Sequence, residues 1–186
     1  SAGALGFANT AGAGLELAGH DAAVSYIYDG GSSGGNIDLG DATLTIRSGN
    51  ATSASIYYGA ITGTGGLVKN GSSSQRLHGC DSDYSGSTTI NGGSIEAMCL
   101  TDGGANSSIG ASSADASNLV LNGGTLRYVG ADTTTNRQFT LGTSGGGLDA
   151  SGTGAVNFTN TAPITLDGTN TARTFTLSGT NTGDNT

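Results

Sequence analysis

The feature that most constrains the fold of this chain is the placement of its apolar residues at alternate positions in very short runs. Positions i and i+2 of an extended strand face the same side, so each such unit predicts a strand with one buried face. No run of 11 or more residues has sustained helical periodicity, and an all-β fold is therefore predicted. The units lie at 15–17, 37–39, 44–46, 119–121, 139–141, 156–158, 164–166 and 175–177.

The composition decides between kinds of all-β fold. The 186 residues include 35 glycines, one proline and no tryptophan, and Leu, Ile, Val and Phe together supply only 33 residues. So little apolar surface is typical of disordered chains, but disordered chains do not place their apolar residues in register. A narrow coil needs only small and medium side chains inside it. We therefore expect a β-solenoid over 1–186, with five to seven coils of 20 to 30 residues, rather than a two-sheet sandwich.

Two internal repeats support stacked coils. TTINGGSIEAM, from Thr88 to Met98, resembles LVLNGGTLRYV, from Leu119 to Val129, which begins 31 residues later. ITLDGTNT, from Ile164 to Thr171, resembles FTLSGTNT, from Phe175 to Thr182, which begins 11 residues later. Each copy has the form strand, turn, strand, and self-similarity of this kind is typical of repeat architectures.

The Asn-Gly-Gly turns inside the longer repeat allow two interpretations. Asn-Gly between alternating runs is a strong hairpin signal. In a solenoid the same pair lets the backbone take a positive φ at a corner before the next face begins. The thin apolar content favours the corner.

The charge pattern excludes several functions. The formal net charge is −8, and the five arginines and one lysine are scattered, so a nucleic-acid partner is not expected. No apolar run approaches the ~18 residues of a membrane helix, so this segment should not insert into a membrane. Phosphate-loop, dinucleotide and zinc patterns are absent, and we expect no cofactor and no metal. Both termini consist of low-complexity sequence, which suggests a piece of a longer secreted protein.

One segment resembles a known family. ITGTGGLVKNGSSSQRLHGCDSDYSGSTTINGGSIEA, from Ile61 to Ala97, is similar to the passenger-associated repeat of bacterial autotransporters. The Gly-Thr-Gly-Gly-Leu-x-Lys opening of the repeat matches at Gly63 to Lys69, and its Tyr-Ser-Gly turn matches at Tyr84 to Gly86. Its closing Thr-Thr-x-Asn-Gly-Gly-Thr-Leu segment matches at Thr88 to Ile95. The resemblance implies a right-handed parallel β-helix.

The resemblance also implies a function. Such a chain would be a stalk of an adhesin-like protein, exported through the periplasm and outer membrane to the bacterial cell surface. Its expected partners are the neighbouring coils of a longer chain, and glycans or like molecules on cell surfaces. One alternative is a self-associating extracellular filament or matrix protein. The second is a carbohydrate-active β-helix enzyme.

The enzyme alternative depends on a polar cluster within the matched segment. Arg76 and His78 are two positions apart, as are Asp81 and Asp83, and two carboxylates with an acid or base partner are the minimum for glycoside chemistry. The family has a strand and a polar turn at these positions, where Asp replaces Asn as a turn former. We therefore predict no catalytic residue here, and none at His20, which lies in a plain turn.

The residues 73–79, SSQRLHG, depart from the alternating strand of the family, because only Leu77 keeps an apolar place. We expect the local strand and the bore to be weakened there. Cys80 and Cys99 are 19 positions apart, close to one coil, and residues one coil apart stack at a distance that a disulfide can span. A disulfide across one coil is predicted. The alternative is two free thiols, one of them buried as a small apolar filler.

Overall fold

The computed structural model describes residues 3–8, 12–31, 34–48 and 56–186. These residues form short β-strands and one 3₁₀ helix, η1, at Ala116–Asn118, and no helix in this part of the chain has the length and apolar character to cross a membrane. The strands, in chain order, are β1 Leu5–Phe7, β2 Gly14–Glu16, β3 Ala22–Val24, β4 Ile27–Asp29, β5 Asn36–Asp38, β6 Leu44–Ile46, β7 Ile56–Tyr57, β8 Ile61–Thr62, β9 Leu67–Lys69, β10 Ser74–Leu77, β11 Thr88–Ile90, β12 Ser94–Ala97, β13 Leu119–Leu121, β14 Thr125–Tyr128, β15 Thr133–Thr135, β16 Thr140–Leu141, β17 Gly146–Ala150, β18 Val156–Phe158, β19 Thr165–Leu166 and β20 Phe175–Gly179.

The strands stack as a parallel β-solenoid of about seven coils, which confirms the predicted fold class. One sheet has seven strands in the order β3-β6-β9-β11-β13-β16-β19, and a second has six in the order β7-β10-β12-β14-β17-β20. A three-stranded sheet of β2, β5 and β8 and the pairs β1-β4 and β15-β18 complete the coils. Seven strands at a spacing of about 4.8 Å give a rod on the order of 30 Å long.

The Asn-Gly-Gly turns are corners, as the solenoid interpretation predicts. Asn91, Gly92 and Gly93 connect β11 to β12. These two strands belong to different sheets and do not pair with each other. Gly93 has φ +59°, and a Cβ there would lie 2.2 Å from the carbonyl oxygen of Ser73 in the preceding coil. Only glycine allows both this backbone conformation and this close approach.

The two internal repeats have different structural meanings. The register pairs Thr88 with Leu119 and Ser94 with Thr125, so the 31-residue repeat is one coil stacked on the next. The 11-residue repeat is not a stack, because β19 lies in the seven-stranded sheet and β20 in the six-stranded sheet. That repeat relates two faces of a single coil. The expectation of stacked units is therefore wrong for the second repeat.

The inward positions of the strands form a bore that is mainly apolar. The pattern buried, half-buried, buried recurs in β4, β6, β9, β11 and β13. In the last coil the alternating residues are uncovered, and the Leu177 side chain is 72% exposed. Fully buried apolar residues include Ile27, Ile37, Leu39, Leu44, Ile46, Leu67, Ile90, Ile95 and Leu121.

The segment 73–79 contains a regular strand, β10 at Ser74–Leu77, contrary to the expectation of a weakened one. β10 pairs in register with β7 on one side and β12 on the other. Gln75 points into the bore and is fully buried, where its Oε1 accepts from Ile27 N at 3.0 Å and its Nε2 donates to Ile27 O at 2.9 Å. A buried amide costs little when its donors and acceptors are paired, so Gln75 can occupy an apolar position.

Candidate functional site

A column of alternating charges runs along the outer face of the six-stranded sheet. The register places Arg76 beside Glu96, Glu96 beside Arg127, and Arg127 beside Asp149, one residue per coil in four consecutive coils. We call these four residues the charged column. Their neighbours in each strand, including Gln75, Ile95 and Leu126, point inward and are buried, so the strand alternation directs the charged side chains outward.

The charged column is held together by contacts between successive coils. Arg76 Nε lies 3.0 Å from Glu96 Oε1, and Arg127 Nη1 lies 3.5 Å from Glu96 Oε2. Arg127 Nε lies 3.5 Å from Asp149 Oδ1, and Ser178 Oγ donates to Asp149 Oδ2 at 3.0 Å. The side chain of Glu96 is 9% exposed, against 27% for Arg76 and 40% for Arg127. The arginines therefore cover the carboxylate and present their outer edges to solvent.

His78 and Tyr58 flank the charged column. His78 Nε2 lies 3.4 Å from Glu96 Oε1, which is long for a hydrogen bond and acts as an electrostatic contact. The Tyr58 ring meets the His78 ring edge to face, with centroids 5.6 Å apart. The contact with His78 lowers the pKa of Glu96 below its ordinary value, burial opposes that shift, and Arg76 and Arg127 add to the lowering. Glu96 is thus an ionised, covered carboxylate, which suits a structural ion pair rather than a general acid.

The predicted polar cluster divides into two separate parts. Arg76 and His78 face Glu96 on the sheet. Asp81 and Asp83 are exposed in the segment that follows Cys80, and neither forms an ion pair with Arg76 or His78 in the described part of the chain. Among residues 3–8, 12–31, 34–48 and 56–186, no three His, Cys, Asp or Glu side chains are grouped as metal ligands. His20 is exposed in its turn.

The predicted disulfide is confirmed. Cys80 and Cys99 are bonded, with their Cα atoms 5.4 Å apart and a sequence separation of 19. Each cysteine follows a strand of the six-stranded sheet by two or three positions, since β10 ends at Leu77 and β12 at Ala97. The bond therefore joins two successive coils at positions offset by one residue in the register, close in sequence to His78.

An insertion directly after Cys99 enlarges the coil that contains it. Thr88 pairs with Leu119, 31 positions on, whereas Leu67 pairs with Thr88 only 21 positions on. The extra residues lie within 99–118, and Arg137, from the next coil, is buried beneath them. Its guanidinium donates to backbone carbonyls of Thr101 at 3.0 Å, Ser112 at 3.2 Å, Asp102 at 3.4 Å, Ala105 at 3.2 Å and Gly110 at 2.8 Å. Arg137 thereby replaces the strand pairing that the insertion lacks.

Lys69 is a second buried cation, and it ends the family's opening motif. It occupies an inward position between Ile46 and Ile90 in the register. Its Nζ donates to the carbonyls of Asn70 at 2.5 Å, Ser48 at 3.3 Å and Gly71 at 3.3 Å. Burial lowers the pKa of Lys69 to about 8. The lysine thus ties the corner after β9 to the coil before it.

Sequence reasoning missed Glu96, Arg127 and Asp149 as partners of Arg76. A signal for one pair was present, because the 31-residue repeat aligns the Glu96 of SIEA with the Arg127 of TLRY. Opposite charges at equivalent positions of two repeats predict an ion pair between stacked coils. Arg137 carries no comparable signal, because all but one of its partners, Ser112 Oγ, are backbone carbonyls that no side-chain pattern marks.

Comparison with known proteins gives two matches in sequence and none in structure. The model of the passenger-associated-transport-repeat family matches residues 67–97, within the segment Ile61 to Ala97. The adhesin BmaC autotransporter of Brucella suis biovar 1 (strain 1330) is 59% identical over 184 residues, which cover 98% of this chain. The chain spans only 5% of the length of that relative. No solved structure matches the chain.

The matched residues lie in the middle of the solenoid. Residues 67–97 run from the start of β9 to the end of β12, which is one full coil, the first two strands of the next coil and most of the disulfide-closed segment. The buried Lys69, the Asn91-Gly92-Gly93 corner and the first two members of the charged column all fall inside it. The chain therefore carries an autotransporter passenger repeat, embedded in a β-solenoid of about seven coils.

Proposed function

We propose that this chain is a stalk segment of an adhesin-like autotransporter passenger, which acts by spacing and presentation rather than by catalysis. The observation that carries the proposal is the unbroken parallel ladder of the seven-stranded sheet, from β3 to β19, in a chain that is similar over nearly its whole length to part of an adhesin autotransporter. Each coil contacts mainly its two neighbouring coils. Each added coil therefore lengthens the rod by one strand spacing, and the rod stays stiff along its length.

Two further observations support a surface location and a longer chain. A disulfide is stable in the periplasm and outside the cell, and the Cys80–Cys99 bond fits that environment. The bore is open at the last coil, where a cavity of about 350 Å³ is lined by apolar side chains, including Phe139, Phe158 and Phe175. Neighbouring coils of the same protein are the partners that fit this opening, because a solenoid end needs a cap.

Non-catalytic action is supported by the separation of the polar residues. The two exposed aspartates, Asp81 and Asp83, form no ion pair with Arg76 or His78 in the described part of the chain, and the ionised Glu96 is paired with two arginines. Incubation with a panel of neutral and acidic polysaccharides should release no new ends. Cleavage that is lost in Asp81→Asn or Asp83→Asn would contradict this part of the proposal.

The stalk function can be tested in the full-length protein on the surface of a bacterium. Deleting 1–186 should leave surface display intact and reduce attachment to host cells. Replacing the segment with an unrelated solenoid of equal length should restore attachment, because a spacer contributes length and not specific contacts. Attachment that the replacement fails to restore, with equal surface display, would show that this segment itself contacts the receptor and would overturn the spacer function.

A further inference from the structure

The Asn-Gly pairs of the chain stack in one column. They follow directly after β9, β11 and β13, three strands that pair with one another in the seven-stranded sheet. Glycine after asparagine favours deamidation, because glycine has no side chain to keep its backbone nitrogen away from the asparagine side chain. The three pairs share this local chemistry and differ in their contacts, so the contacts decide which pair reacts. The pairs are Asn70-Gly71, Asn91-Gly92 and Asn122-Gly123.

The side chain of Asn70 lies at one end of a hydrogen-bonded column. Asn91 Nδ2 donates to Asn70 Oδ1 at 3.0 Å, and Asn122 Nδ2 donates to Asn91 Oδ1 at 3.3 Å. Asn70 Nδ2 has no hydrogen-bond partner among the residues that the structure describes. The donor on Oδ1 polarises the Asn70 side-chain carbonyl, and the amide group that must leave is free to do so.

Lys69 contacts the peptide group whose nitrogen would attack Asn70. Its Nζ donates to Asn70 O at 2.5 Å, and this oxygen belongs to the same peptide group as Gly71 N. When Gly71 N loses its proton, negative charge moves onto the oxygen, and an ammonium hydrogen-bonded there stabilises it. Lys69 is the one lysine of the sequence, so no ammonium serves the other two pairs.

Asn91 and Asn122 are held against the same reaction. Each side-chain nitrogen donates to the preceding asparagine of the column, so its departure would break a hydrogen bond. At Asn122 the attacking group is also engaged, because Gly123 N donates to Gly145 O at 2.7 Å. These two pairs are therefore matched controls within the same molecule.

We propose that Asn70-Gly71 is a self-modifying site, at which the folded solenoid promotes deamidation of Asn70. Gly71 N attacks Asn70 Cγ, so that the N–Cγ bond forms and the Cγ–Nδ2 bond breaks. Ammonia leaves with the proton of Gly71 N, and water then opens the succinimide ring at either carbonyl. The product is aspartate or isoaspartate at position 70. The inference goes beyond the stalk function and does not depend on it.

The corner after β9 requires this glycine and accommodates the product. Gly71 has φ +74°, and a Cβ there would lie 2.1 Å from Arg47 O in the preceding coil. Because Ile46 pairs with Lys69, Arg47 lies beside Asn70 in the register. The carboxylate formed at position 70 would thus have a cation on each side, Lys69 in its own coil and Arg47 in the coil before.

Deamidation rates in the wild type test the site without any substitution. Proteolysis and mass spectrometry give the fraction of aspartate and isoaspartate at each pair, in folded protein at pH 7 and in protein unfolded by urea. The ratio of the folded rate to the unfolded rate removes effects of local sequence. At Asn70 this ratio should exceed those at Asn91 and Asn122 by about tenfold or more, the factor that a charge-assisted hydrogen bond contributes. Equal ratios at the three pairs, or a smaller ratio at Asn70, would overturn the proposal.

Lys69→Met and Lys69→Gln test the contribution of the ammonium. In a variant that keeps the strand signal of the wild type by circular dichroism, deamidation at Asn70 should slow by about tenfold in Lys69→Met. It should slow less in Lys69→Gln, whose amide can still donate to Asn70 O. The rates at Asn91 and Asn122 should stay unchanged in both variants. A rate at Asn70 that is unchanged or faster in a folded variant would overturn the proposal.

Discussion

Cys80 and Cys99 lie in successive coils with their Cα atoms 5.4 Å apart, and their disulfide closes the coil from which the insertion at 99–118 departs. The bond is covalent support at the point where regular strand pairing stops. It should stabilise mainly by restricting the unfolded chain.

Replacing both cysteines by serine should lower the free energy of unfolding by roughly 3 kcal/mol, the value that chain entropy gives for a loop of about this size. Urea unfolding with and without reductant measures the effect. The wild type should lose stability on reduction, whereas the Cys80→Ser, Cys99→Ser variant should not respond to reductant. Equal unfolding midpoints for oxidised and reduced wild type would contradict the prediction.

Arg137→Lys should destabilise the insertion, because one ammonium cannot reach the five carbonyls that the guanidinium contacts. Buried acceptors left without donors cost about 1 to 3 kcal/mol each, so we expect a loss of at least ~2 kcal/mol. Hydrogen exchange should accelerate first within 101–112. The control, Arg47→Lys at an exposed position, should change neither the free energy of unfolding nor the exchange rates within 101–112. Unchanged exchange in Arg137→Lys would show that Arg137 does not stabilise the insertion.

Glu96→Gln should destabilise the protein at neutral pH by about 2 kcal/mol, because Arg76 and Arg127 lose the negative charge with which both are paired. The folded state lowers the pKa of Glu96 below its ordinary 4.5, so its contribution is complete above pH 4.5 and is lost as the pH falls below that value. The difference between wild type and variant should therefore shrink as urea unfolding is repeated from pH 7 down to pH 3. Glu16→Gln, at the exposed glutamate, provides the matched control. A difference that stays constant with pH would be inconsistent with an ionised Glu96.

Comparison with Lys69→Met should show that the contribution of Lys69 to the free energy of unfolding rises with pH. The folded pKa of Lys69 is about 8 and the ordinary value is 10.5, so between these values the unfolded chain binds more protons than the folded chain. Stability of the wild type relative to Lys69→Met should therefore rise from pH 8 to pH 10.5. Burial raises the pKa of Tyr57 and Tyr84, but both tyrosines are present in both proteins and cancel in the comparison. A flat difference over pH 8 to 10.5 would contradict the lowered pKa.

The fold was predictable from sequence because solenoid formation depends on local signals. The apolar alternation at 44–46 and 119–121 and the glycine corner at Gly93 each specify a conformation over a few residues. The offset between Thr88 and Leu119 also specified their register directly. The spacing of Cys80 and Cys99 was informative for the same reason, since one coil brings such residues together.

The candidate site was less predictable because its contacts join residues from different coils. Arg76 and His78 were singled out, but their partner Glu96 belongs to the next coil and was not. Gln75 was expected to weaken the bore, yet its amide pairs with the backbone of Ile27, 48 positions earlier. Pairing of a buried polar side chain with distant backbone depends on three-dimensional placement that composition and periodicity do not report.

The disulfide also determines how this rod would lengthen under tension. When the two ends of a solenoid are pulled apart, coils detach one after another, and a coil of about 20 residues releases roughly 70 Å of extended chain. The Cys80–Cys99 bond withholds the residues between the two sulfurs from that release. A force–extension trace should therefore contain one shortened step, which regains its full length when the bond is reduced.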